Sequence, residues 1–139
     1  GVETGDGFAQ SRLLGSQAHD EIIRAADGTL TRASNRAGGI EGGTSNCQAI
    51  VVRAAFKPIS TVPHALRTVD LATGEDARAL HQRSDTCQVV PGAVIAEAEV
   101  ALVLARALSD HAGGNSLREC KRNLEAYCAH ISERLGLTQ

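Results

Sequence analysis

Residues 34–61 read SNRAGGIEGGTSNCQAIVVRAAFKPIST, and the fold turns on how this stretch is understood. Two Gly-Gly pairs, Gly38-Gly39 and Gly42-Gly43, are separated only by Ile40 and Glu41. Ser34, Asn35, Thr44, Ser45 and Asn46 flank them. Glycine permits positive φ and close approach of backbone to a ligand, and successive N–H groups in such a turn can form an anion-binding nest. Residues 49–56 (AIVVRAAF) are β-branched and apolar, which predicts a largely buried strand. Lys57 and Pro58 end that strand with a cation and a chain break. A glycine-rich loop, a stiff strand and a terminal lysine are suitable parts for holding a phosphorylated ligand. The spacing is neither G-x-G-x-x-G nor G-x-x-x-x-G-K-[ST], so a tight surface turn beside an ordinary core strand stays open as the plainer reading.

Outward from this stretch, 139 residues are enough for one domain with an adequate core. The apolar share is 42%, mostly Ala, Val, Leu and Ile, with three aromatic residues, Phe8, Phe56 and Tyr127. A net charge of −2 with interspersed signs argues against a nucleic-acid footprint, and the few aromatics argue against a single-strand stacking platform. Within these residues no signal peptide is expected, and no apolar run reaches transmembrane length. The start at Gly1, without Met, reads as an excised segment. Cys47, Cys87, Cys120 and Cys128 lack Cys-x-x-Cys or finger-like spacing, so no metal site is expected. Cys120 and Cys128 read as small core residues, and the cysteine pattern as a whole fits a reducing, cytoplasmic compartment.

The N-terminal region predicts a pair of strands within residues 1–23, entered by the Gly-Asp-Gly turn at 5–7. His19-Asp20-Glu21 has the residue types of an acid/base or metal cluster, but its spacing favours a solvated polar run. Residues 24–33, with an Asp-Gly turn, read as a flexible loop or hairpin tip. Pro58 and Pro63 impose an extended connection, and residues 67–71 alternate as a strand before a turn at 73–75. Residues 81–87 (HQRSDTC) put Arg83 and Asp85 on one face of an extended segment, either for charge complementarity and proton transfer or as a local surface ion pair. Residues 93–108 form an Ala/Leu-rich helix, apolar almost all round and so expected to be buried on several sides. His111 suits the helix's negative end and Gly113-Gly114 its stop. The capping box 116–119 opens a second helix, whose apolar stripe runs through Leu117, Cys120, Leu124, Tyr127, Ile131 and Leu135 to Gly136. Strands first and two helices last place the chain in the α+β class, a layered antiparallel β-sheet packed on long helices.

Several separated stretches then resemble chorismate synthase in that family's order. They are GVE-x-GDGF (1–8), GSQ-x-HDE (15–21), SN-x-AGGI-x-GG-x-SN (34–46), IVVRAA-x-KPI-x-T (50–61), LRTVDLATGE (66–75), RSD-x-C-x-V (83–89) and V-x-AEA-x-VALVLA (94–105). The resemblance implies a single domain, 1–139, matching the C-terminal part of that enzyme and part of its β-α-β sandwich. It implies a lyase that converts 5-enolpyruvylshikimate 3-phosphate to chorismate and phosphate. The reaction is a 1,4-elimination dependent on reduced FMN without net redox change. It also implies a homotetramer in which sheets enclose central helices. Gly42, Lys57, Pro58, Ile59, Ser60, Thr61 and Arg83 look like the family's FMN-contacting residues. Asp85 matches the acidic residue of the RSD or RHD motif, which assists proton movement at the flavin. The family's N-terminal half carries catalytic histidines and substrate-binding arginines, so these residues alone are expected to be inactive. The alternative from another class is a non-catalytic oligomerisation core that holds no flavin. The chain departs from the family's usual residues at Thr44, Cys47 (usually Gly), Ala49 and Ser60 (usually Pro) and Glu99 (usually Met).

Overall fold

The computed structural model describes residues 1–60, 62–82 and 87–134. The chain divides into two compact units, one of Gly1 with Ala54–Glu97, the other of Val2–Arg53 with Ala98–Gln139. Its elements run β1 (Val2–Thr4), a 3₁₀ helix (Gly7–Arg12), α1 (Gly15–Ala18), β2 (Ile22–Arg24), β3 (Leu30–Arg32), β4 (Ile40–Glu41) and β5 (Thr44–Ser45). They continue with β6 (Val52–Ala54), β7 (Arg67–Val69), β8 (Asp76–Arg78), α2 (Val89–Ala112) and α3 (Leu117–Arg134). Small sheets followed by two long helices make this an α+β chain. Leu135 and Gly136, expected to close the last helix, lie outside the described residues.

Among the described residues the strands pair two by two, β1 with β6, β2 with β3, β4 with β5 and β7 with β8. The β2–β3 hairpin is closed by Asp27, whose Oδ1 accepts from the Thr29 N–H (2.9 Å) and hydroxyl (2.7 Å). This is the side-chain turn chemistry that places a hairpin at an Asp-Gly pair. The predicted strand pair within 1–23 does not form. The 3₁₀ helix and α1 intervene, and β1 and β2 each pair with a strand further along the chain.

The strand predicted over residues 49–56 is also shorter and more open than expected. Only Val52–Ala54 is in a sheet, because its partner β1 is three residues long. Just before it, Val51 accepts from the Gly5 N–H (3.0 Å) and donates to the Gly38 carbonyl (3.1 Å). Three backbones therefore meet at Gly38, whose φ is +68°. A Cβ there would collide with Gly5 and stand 2.9 Å from the Val51 carbonyl, and one on Gly39 would stand 2.6 Å from the Ala49 carbonyl. Arg53 fastens the same crossing, donating to Glu3 Oε1 (2.8 Å) and to the Gly5 carbonyl (2.5 Å).

Helix α2 begins two residues before Pro91, within the first turn, where the missing N–H costs nothing. Gly92 is buried and lets the Phe56 ring lie against the helix, since a Cβ would stand 2.5 Å from ring carbons. Gly113 (φ +62°) stops the helix, its N–H bonded to the Ser109 carbonyl at 2.9 Å. The capping box of α3 is shifted by one residue at its acidic end. Ser116 Oγ accepts from the Glu119 N–H (3.3 Å), while Glu119 Oε2 accepts from the Asn115 N–H (2.7 Å). Asn123 Nδ2 donates to the Ala112 carbonyl (2.9 Å), and His111 meets Tyr127 edge-on at 4.7 Å. These contacts tie the end of α2 to α3.

The expectation of a buried α2 is corrected. No apolar side chain among the described residues is buried, and Leu102 and Val103 on α2 are each 65% exposed. Glu99 is exposed too, so its charge has no desolvation cost here. Cys128 is exposed and Cys120 half-buried, so they are not core residues in this chain.

Candidate functional site

The residues singled out from the sequence fall on different parts of the fold. Gly42 and Gly43 are the two-residue turn of the β4–β5 hairpin, with register Ile40↔Ser45 and Glu41↔Thr44. Their φ values of +58° and +82° give the turn its mirror-image form, which matches the twist of the flanking strands. A side chain built at either glycine would meet no atom within 4 Å, so the tip of the hairpin is open to an approaching ligand. Cys47, two residues after β5, also has φ +66°, a conformation that costs a side-chain-bearing residue about 1 kcal/mol.

Lys57, Pro58, Ile59 and Ser60 follow β6 without regular structure. Lys57, Pro58 and Ser60 are exposed and Ile59 is half-buried. They belong to one unit and Gly42 to the other. Thr61, Arg83 and Asp85 lie outside the described residues.

The most ordered polar cluster is one that sequence spacing does not single out. Asp20, expected in a solvated run, is 5% exposed, whereas its neighbours His19 and Glu21 are exposed. Asp20 Oδ1 accepts from the Ser34 hydroxyl (2.5 Å) and the Arg36 N–H (2.8 Å), and Oδ2 from the Ala37 N–H (2.9 Å). Burial pushes the carboxyl pKa up. The Ser34, Ala37 and Arg36 hydrogen bonds and the nearby Arg32 charge outweigh it, leaving the pKa below its ordinary value. A buried carboxylate saturated with donors in this way is a structural pin rather than a proton carrier. Its donors are 14 to 17 residues away in sequence, beyond any local pattern, and two of the three are backbone N–H groups that no residue type announces.

The pin continues into the glycine hairpin. Asn35 accepts from the Gly39 N–H at Oδ1 (2.8 Å) and donates through Nδ2 to the Ala49 carbonyl (2.8 Å). Arg32 donates to the Asp20 carbonyl (2.8 Å) and forms an ion pair with Glu41 (2.7 Å), the residue before Gly42. A cavity of about 290 Å³ opens here, lined among others by Gln10, His19, Asp20, Ala37, Glu41 and Gly42. The arrangement can present an open glycine tip, held from behind by charge-assisted bonds, to a ligand. Among the described residues, no three His, Cys, Asp or Glu side chains are grouped to hold a metal ion. No helix among them is long and apolar enough to cross a membrane.

Comparison with known proteins gives a consistent set of likenesses. The chorismate synthase family model matches residues 1–109. Chorismate synthase of Beutenbergia cavernae is 59% identical over 134 residues, covering 96% of this chain and 34% of that protein. The Corynebacterium aurimucosum enzyme is 58% identical over 135 residues, covering 97% and 33%. A solved structure, "Crystal Structure of Chorismate Synthase", superposes with a TM-score of 0.69 at 39% identity, over 96% of this chain and 32% of the other. The chain thus spans about a third of the length of the relatives it matches.

Proposed function

This chain belongs to the chorismate synthase family, and from that premise we propose that it supplies the flavin-contacting C-terminal part of such an enzyme. The whole enzyme converts 5-enolpyruvylshikimate 3-phosphate to chorismate and phosphate in the cytoplasm, as a homotetramer in which residues 1–139 form one domain. Reduced FMN, when bound, supplies the electron-transfer capacity the elimination depends on without net redox change. The residues present suit that group. Gly42 offers open backbone, while the exposed Lys57 and Ser60 offer a cation and a hydroxyl to a phosphorylated ligand. Pro58, Ile59 and Thr61 would flank that lysine in the chain, Arg83 would add a second cation, and Asp85 would hold or release a proton beside the bound group. The observation that carries this reading is the open Gly42-Gly43 turn, held in place from behind by the Asp20 and Arg32 network.

Titration of the chain with FMN, followed by flavin fluorescence, tests it. Saturable binding weakened in Lys57→Ala and Arg83→Ala, with the fold unchanged by circular dichroism, is the expected result. Binding that ignores both substitutions contradicts these residue roles.

A second reading, a non-catalytic oligomerisation core, is favoured by the exposed apolar side chains of α2, including Val94, Ile95, Leu102 and Val103. Leaving each of these in water forgoes about 1–2 kcal/mol, so α2 gains from being covered. That reading expects Leu104→Ala or Leu124→Ala to loosen assembly while flavin has no effect on any variant.

A further inference from the structure

The β4–β5 hairpin has only two paired residues on each strand, and a hairpin of that size does not hold itself in water. Its tip must be fixed from outside. Inside the hairpin, Thr44 Oγ1 donates to the Glu41 carbonyl (3.1 Å) and Asn46 Nδ2 to Glu41 Oε2 (2.8 Å). The Asn46 N–H donates to the Gly39 carbonyl (3.0 Å), closing its base. The external fixture is Arg32, at the end of β3. Its Nη2 reaches the same Glu41 Oε2 at 2.7 Å, and its Nη1 reaches the Asp20 carbonyl at 2.8 Å. The guanidinium fork therefore spans two points, one of them on the residue whose own carboxylate is tied to Ser34, Arg36 and Ala37. Arg32 and Glu41 side chains are 21% and 32% exposed, so water competes less for this pair than at an open surface.

We propose that the Arg32–Glu41 pair is the positioning element of the flavin site, setting where Gly42 presents its backbone. The inference rests on the reading of Gly42 as a flavin contact. Glu41 is covalently joined to Gly42, so an acceptor held at both Arg32 and Asn46 leaves the turn one placement instead of several. A ligand that must select that placement from a mobile hairpin binds more weakly by the fraction of time the placement is absent. Neither residue touches the ligand. Both act by preorganisation.

The test is FMN titration of the full chain in five forms, wild type, Arg32→Ala, Glu41→Ala, Glu41→Gln and the double alanine variant. Each single alanine variant is expected to raise the FMN Kd about tenfold, the scale of one partly water-compensated charge-assisted bond. Glu41→Gln keeps an acceptor oxygen for Arg32 and should stay within about threefold of wild type. The double variant should bind more tightly than the sum of the two single losses predicts, since both remove the shared Arg32–Glu41 contact, while Arg32→Ala alone frees the Asp20 carbonyl and Glu41→Ala alone frees the Asn46 amide. A merely structural role would lower the unfolding midpoint of the variants without this coupling in Kd and without rescue by Gln. Arg32→Lys, able to keep one of the two bonds, keeps the test readable if Arg32→Ala does not fold. Folded alanine variants that bind within twofold of wild type overturn the inference and leave the flavin reading standing. Losses that add in the double variant overturn the pairing. A wild-type chain that binds no FMN overturns the flavin reading and this inference with it.

Discussion

Replacing Asp20 by Asn should loosen the segment that leads into the glycine hairpin, and the size of the effect can be worked from its hydrogen bonds. The carboxylate holds three donors, the Ser34 hydroxyl and Arg36 N–H on one oxygen and the Ala37 N–H on the other. Asn retains one oxygen, which can serve Ser34 and Arg36. Its amide nitrogen then faces the Ala37 N–H, donor against donor. One charge-assisted bond is lost, worth about 1.5–3 kcal/mol, and the other two weaken as the charge disappears. A net cost of about 2 kcal/mol corresponds to about a 30-fold rise in local opening. Amide hydrogen exchange reads this directly, as faster exchange of Ala37 N–H in Asp20→Asn than in wild type. The pH dependence has a defined sign. The folded pKa of Asp20 is lowered from 3.8, so its contribution is fully present above that value and fades as pH falls through the lower folded one. Ala37 protection, corrected for intrinsic exchange, should be level from neutral pH to about 5 and fall below 3.8 in wild type, with no such fall in the variant. Exchange of Ala37 within about threefold of wild type in a folded Asp20→Asn protein would refute the assignment of Asp20 as the pin.

Other substitutions separate the roles of individual residues. Gly38→Ala should destabilise by about 3 kcal/mol or more, because the added carbon collides with Gly5 backbone at positive φ, whereas Gly42→Ala carries only the conformational cost of about 1 kcal/mol. Denaturant unfolding of the two variants side by side checks the contrast. Cys47→Gly should stabilise by about 0.5 kcal/mol, the relief of φ +66° strain less the entropy glycine adds to the unfolded chain, seen as a small rise in midpoint. Gly92→Ala should swing the Phe56 ring off α2 and cost about 1–2 kcal/mol.

What could be read in the sequence follows from how local the deciding interactions are. The Asp27-Gly28 and Gly42-Gly43 turns, the glycine stop at 113–114 and the Ser116 cap are each settled within four or five residues, and each is legible. The strand over 49–56 was not, because its length is set by the three residues of β1 available to pair with it. The burial of Asp20 is hidden for a similar reason, since nothing near it in the chain hints at donors from Ser34, Arg36 and Ala37. The all-round apolar pattern of α2 correctly gives a helix, but the burial it implies is not supplied by the described residues. For the candidate site, the glycine pair and the lysine were visible as residue types. The Arg32–Glu41 tie behind the glycine pair is a contact between two hairpins that only the fold brings together.

The central claim, that residues 42 and 57–60 contact the flavin, is tested most directly by amide NMR of the chain during addition of FMN. Shifts that saturate together at Gly42, Gly43, Lys57, Ile59 and Ser60, with the helical amides of α3 unmoved, are what the account predicts. Saturating shifts confined to other residues, or none up to about millimolar FMN, would contradict it.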